Sequence, residues 1–176
     1  FHLRRGDTMT TDALTVTTAA ALAAPVSLWL AAAIPRAAAN RQGPLVAKAA
    51  TATAWFAFAL AVTALVAHGF GPPRSMNLLA VPLPFDLGHF ALGIFVDTVT
   101  VIMLALVSLI GAVVTTYART YMAGDAGEGH FHKWLVLTLA AILTLIVSSN
   151  LIMFALAWMA TSLNLHRLLL FYPERP

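Results

Sequence analysis

Cysteine is absent from all 176 residues. Disulfides, thiolate zinc sites and cysteine-bound iron–sulfur clusters are therefore excluded, and chemistry of those kinds has to sit on a partner. Charge is almost as scarce: Lys, Arg, Asp and Glu make up 10% of the chain, against roughly 25% in an ordinary soluble domain. The net charge is +3, but the ten basic residues are spread over short loops with no basic stripe and no interleaved aromatics, which excludes the usual nucleic-acid footprint.

What remains is hydrocarbon. Hydrophobic residues make up 60% of the chain and the mean hydropathy is +0.85. Five uncharged runs approach bilayer length, which predicts an all-α integral membrane protein with about five transmembrane helices and no soluble domain.

Residues 1–12 read as an N-terminal tail, with the stretch before Met9 an upstream extension. Residues 13–68 hold two helices, Ala13–Ile34 and Ala49–Ala67, separated by Pro35 and basic residues. The first run is too long for a signal-peptide core. Pro72 and Pro73 end the second helix. Residues 69–96 are apolar but broken by Pro82, Pro84 and Gly88, so an extracytoplasmic hairpin or re-entrant loop over the helix ends is expected.

Residues 97–172 should hold three further helices. The uncharged run Trp134–Leu165 would be roughly 48 Å long as one helix, against a hydrocarbon core of about 30 Å. Ser148, Ser149 and Asn150 therefore mark a turn, giving helices over Phe131–Val147 and Leu151–Tyr172, with 173–176 a C-terminal end. The positive-inside rule sets Arg36, Arg41, Lys48, Arg119, Lys133, Arg167 and Arg175 against Arg4, Arg5 and Arg74, which puts the N-terminus outside and the C-terminal end in the cytoplasm.

The last helix carries Thr161, Ser162 and Asn164 near its middle. Polar groups at that depth are expected to be sheltered from lipid, among neighbouring helices or in a wet cavity, and to mark an ion or substrate path. On a helical wheel Met159, Ser162 and His166 share one face, while Thr161 and Asn164 lie on another. His166 reads either as a protonatable group on the path or, with Arg167, as an interfacial cation near a helix end. Asp97 reads either as the cap of the third helix or as an uptake-side carboxylate. His130 and His132 form an H-x-H pair in a Gly-rich loop, without a third ligand for a metal site. The threonines and serines of the third and fourth helices are expected to bond their own preceding carbonyls or to tie helices together.

Read in order, the Asp of GIFVDTVTVIM, then YARTYMAGD, then SSNLIMFALAW resemble the N-terminal part of the antiporter-like subunits. These are the large proton-translocating subunit of respiratory complex I and its multisubunit cation/proton antiporter relatives. That family usually follows the Trp with a protonatable Glu, and here the position is Met159. The phrase WMATSLNLHRLLLFYPERP is most similar to the branch forming the membrane subunit of the DAB inorganic carbon accumulation complex.

The resemblance implies an N-terminal fragment of a larger antiporter-like helical bundle in a bacterial inner membrane, conducting protons or sodium ions. It implies a large zinc-containing partner resembling a carbonic anhydrase, so that the cation gradient drives uptake of CO2 or bicarbonate. Zinc is expected only on that partner, with no cofactor and no catalytic chemistry in this chain. The alternative reading is the proton-translocating subunit of an NADH-quinone oxidoreductase. A haem-bearing anchor is a third class, disfavoured because His68 and His166 fall near opposite membrane faces.

Overall fold

The computed structural model describes residues 4–33, 42–69, 71–82 and 89–170. Five helices, α1 Arg4–Ala32, α2 Gly43–His68, α3 Thr98–Tyr121, α4 Glu128–Val147 and α5 Leu151–Leu169, are each long and apolar enough to cross a bilayer. Two strands, β1 Arg74–Pro82 and β2 His89–Val96, join α2 to α3. The chain is a multi-pass, all-α membrane protein carrying one β-ribbon. Pro35, Arg36 and Arg41, Pro84 and Gly88, and Tyr172 with residues 173–176 lie outside the described residues.

Helix α1 corrects the expected tail: it starts at Arg4, well before Ala13. The segment from Arg4 to Asp12 holds no proline, so nothing in its backbone stops the apolar helix from extending into its polar lead. Helix α2 also starts early, at Gly43, where Pro44 fits a first turn that needs no donor. It stops at Gly69, whose left-handed φ of 53° lets its N–H reach Leu65 O.

Small residues set the packing. Ala47, Ala50, Ala54, Ala57, Ala61 and Ala64 recur every three or four positions along α2 and are all buried. Thr17, Ala20, Ala21 and Ala24 form the matching buried stripe on α1. In lipid such seams gain dispersion contact by letting backbones approach closely. Helix α4 lies at the centre and packs against α1, α2, α3 and α5, with Gly111 of α3 set closely against Leu139 of α4.

Two tryptophans tie helices across these seams. Trp29 Nε1 of α1 donates to Thr144 Oγ1 of α4 at 3.0 Å, and Trp55 Nε1 of α2 donates to Thr116 Oγ1 of α3 at 3.1 Å. Each threonine hydroxyl donates in turn to its own helix, Thr144 to Ala140 O and Thr116 to Ala112 O. One hydroxyl thus serves two helices with no polar atom left over.

The ribbon pairs β1 and β2 antiparallel from Arg74 opposite Val96 to Pro82 opposite His89, with a bulge between Asn77 and Leu79. The outer edge of β2 is partly paired. Ser149 N–H donates to Gly93 O at 3.2 Å and Ile94 bridges Ser148, so the α4–α5 turn caps the edge of β2. Asn150 then caps α5 by accepting from Met153 N–H at 2.8 Å. The ribbon and this turn share one end of the bundle, here the hairpin end. The α3–α4 connection and the start of α2 share the other, the loop end.

A methyl group at Gly93 would lie 2.6 Å from Ser149 Oγ, 2.7 Å from Asn77 Oδ1 and 2.8 Å from Met76 O. Gly93→Ala is therefore expected to lower the stability of the micelle-bound protein by about 1–3 kcal/mol, the usual cost of overpacking, as read by denaturant titration. An unchanged transition would show that the ribbon is not fastened to the turn.

Candidate functional site

Helix α5 is the least buried of the five. Only Ala157 and Asn164 are buried, and Thr161 between them is half-buried, so one stripe at positions i, i+4 and i+7 faces α4. Met159 and Ser162 lie on the opposite, exposed face, and His166, exposed near the helix end, also reaches the cleft described below. This corrects the expectation that all three mid-helix polar side chains are sheltered. Ser162 is exposed and donates to Trp158 O at 3.1 Å, while Thr161 donates to Ala157 O at 2.9 Å. A hydroxyl that bonds back to its own helix needs no cavity.

Asn164 differs. It is 9% exposed, and its amide makes no hydrogen bond among the described residues. It lines an open cleft of about 680 Å³ at the loop end between α4 and α5, with His130, Trp134, His166 and Arg167. His130 lies in the first turn of α4, not in a loop as the sequence suggested. Trp134 Nε1 donates to His130 Nε2 at 2.9 Å, so that ring nitrogen is an acceptor and His130 is neutral in this arrangement. The Arg167 guanidinium carbon lies 6.0 Å from the centre of the Trp134 ring, within cation–π range. Among the described residues the cleft combines cationic and amide donors with no lining carboxylate, which suits polar or anionic groups and water.

His130 and His132 are not brought together. His130 faces the cleft, and His132, two positions on, is fully buried in the bundle. Sequence reading missed Trp134 as a site residue; its spacing of four from His130 on a helix end was the available signal.

Asp97 sits at the other end of the bundle as the N-cap of α3, accepting from Thr100 N–H at 2.7 Å. The hydrogen bonds from the Thr100 hydroxyl and amide, aided by His68 close by, hold its carboxyl below the ordinary carboxylate value of 3.8 against the opposing effect of burial. His68 and His166 lie at opposite ends of the bundle.

Residues 84–132, from the tip of the ribbon into α4, match the family described as NADH-Ubiquinone oxidoreductase (complex I), chain 5 N-terminus. Over that stretch the chain is similar to the antiporter-like membrane subunits. It is 37% identical over 159 residues, 88% of its length, to the probable inorganic carbon transporter subunit DabB2 of Halothiobacillus neapolitanus. It is 41% identical over 81 residues, 46% of its length, to the probable inorganic carbon transporter subunit DabB of Hydrogenovibrio crunogenus. Over 87 residues, 49% of its length, it is 34% identical to the chloroplastic NAD(P)H-quinone oxidoreductase subunit 5 of Physcomitrium patens. The chain spans 28%, 16% and 12% of the lengths of these three relatives.

Capping predicts a specific acid response at Asp97. Because its folded pKa is lowered, its contribution to stability is complete above the ordinary carboxylate value and is lost as pH falls through the folded pKa. Asp97→Ala is expected to cost about 1 kcal/mol at neutral pH and Asp97→Asn much less, with Asp97→Asn also removing this acid-dependent loss. Thermal melts of the three proteins from neutral pH to below pH 3.8 check both statements.

Proposed function

We propose that this antiporter-like segment belongs to a membrane subunit that conducts protons or sodium ions and couples their gradient to inorganic carbon uptake. The observation that carries this reading is the extent of the match: similarity to the DabB2 relative runs over 88% of the chain, whereas similarity to the quinone oxidoreductase relative runs over 49%. Met159 standing where the respiratory family usually has Glu supports the same branch. The zinc of such a system would lie on a carbonic-anhydrase-like partner, with no covalent step in this chain.

In this reading the loop end is cytoplasmic and the ribbon is extracytoplasmic. Lys48, Arg119, Lys133 and Arg167 cluster at the loop end, with Arg74 at the other. Tyr117 and Tyr121, stacked 6.1 Å apart and exposed near that end, suit the headgroup level. The exposed face of α5 with Ser162 and His166 lines the ion route, and His166 stands in, as a protonatable imidazole, for the carboxylate that Met159 replaces. Further helices of a longer chain complete the route, in keeping with the length of the relatives.

A second reading, part of the proton pump of an NADH-quinone oxidoreductase, draws on the family match at residues 84–132. Co-expression of the full-length subunit with its zinc partner separates the two. In a bacterium lacking carbonic anhydrase, restored growth in air that a protonophore or sodium ionophore abolishes supports the carbon-uptake reading, and absence of rescue rejects it. In the same assay His166→Gln is expected to lower uptake about a hundredfold, the low end for loss of a proton-transfer group. Undiminished uptake removes His166 from the route.

A further inference from the structure

A histidine outside the α5 cleft has an unanswered nitrogen. His132, in the second turn of α4, has no exposed surface. Its Nδ1 lies 2.9 Å from Glu128 O, and a carbonyl oxygen only accepts, so Nδ1 carries the hydrogen of the neutral ring. Nε2 is then a bare lone pair, and it is buried without a partner. Buried polar atoms are almost always answered, and one left dry costs about 1–3 kcal/mol.

One turn earlier on the same face of α4 lies Glu128, 5% exposed and the sole buried carboxylate among the described residues. A Cβ built on Gly43 would lie 3.6 Å from its Oε2, which puts the carboxylate against the first turn of α2. The N-cap of that helix, Gln42, provides no side-chain hydrogen bond, so an anionic group there complements unfilled donors. The other titratable groups near this end lie elsewhere: Lys48 on α2, Tyr117, Arg119 and Tyr121 on α3, and His166 and Arg167 on α5 are exposed. The loop end of α1, Trp29–Ala32, brings no titratable group. On α4 itself Lys133 is half-buried and His130 is engaged by Trp134, and just before the helix Asp125 is half-buried and accepts from Gly127 N–H.

We propose that His132 Nε2 is a proton-binding site whose positive charge Glu128, one turn away on the same helix face, balances. A hydronium ion from the loop end gives its proton to the Nε2 lone pair and leaves as water. The ring becomes an imidazolium with hydrogen on both nitrogens, its charge balanced by the Glu128 carboxylate. Unloading is the reverse, and no electron moves. A metal ion does not fit the place, since among the described residues no group of three His, Cys, Asp or Glu is assembled. The site stands on its own geometry. Its use as a station on the ion route rests on the transport reading above.

The test is a histidine titration by nitrogen-15 NMR of the full-length subunit in lipid nanodiscs. His132 is assigned through Phe131–His132 backbone correlations and by loss of its ring signals in His132→Gln. The expected result is an Nδ1-protonated neutral ring at high pH that becomes imidazolium as the pH is lowered. Glu128→Gln is expected to lower the midpoint by about one unit, because it removes the charge that balances the imidazolium. A ring that stays neutral throughout, or a midpoint untouched by Glu128→Gln, overturns the proposal. Ion flux in proteoliposomes separates the two readings. A titrating His132 in a subunit that moves no ions keeps the site and removes the transport role. A ring that does not titrate in a conducting subunit does the reverse.

Discussion

Close approach of helices across small side chains is the constraint on which the bundle depends. The alanine stripe of α2 brings it against its neighbours, and that proximity lets Trp55 reach Thr116 and lets Glu128 meet the first turn of α2 at Gly43. The matching stripe of α1 brings Trp29 within reach of Thr144. Larger side chains along the seams would hold the backbones apart, and the tryptophan indoles would lose acceptors that lipid cannot replace.

The same constraint explains why hydropathy located the helices better than it located their faces. Alanine is buried on α1 and α2 while Leu30, Phe56 and Val66 are exposed, so a wheel scored by hydrophobicity points the wrong residues inward. In a membrane the outward face is the more hydrocarbon-rich one. The spacing of alanines at three and four carries the information instead. The break at Ser148–Asn150 was legible for a different reason: an uncharged run too long for one crossing must turn, and Asn150 offers the cap that restarts a helix.

Site residues were less legible, because a polar residue in an apolar helix has two outcomes that composition does not separate. Thr161 and Ser162 return their hydrogens to their own helix, whereas Asn164, whose amide has more to satisfy, faces the α4 cleft. The H-x-H pair misled in the same way: two residues apart on a helix means opposite faces, so one ring lines the cleft and the other is sealed inside. The informative spacing was Glu128 to His132, four apart and therefore stacked on one face.

Charge placement follows from these packing choices. With Met159 on α5, the carboxylates of the described residues are Asp7 and Asp12 in the polar lead of α1, Asp97 at the hairpin end, and Asp125 and Glu128 at the loop end, none in the middle of a span. Asp97 is committed to a helix terminus, where its hydrogen bonds favour the ionised form and make it a poor proton carrier near neutral pH. Asp125 is committed to its turn through Gly127 N–H. A cation crossing along this segment would therefore meet fixed charge only near the two membrane faces and dipoles in between. Such an arrangement can load and release ions at its ends, but it needs groups from further helices, or a titrating imidazole, to carry charge past the centre.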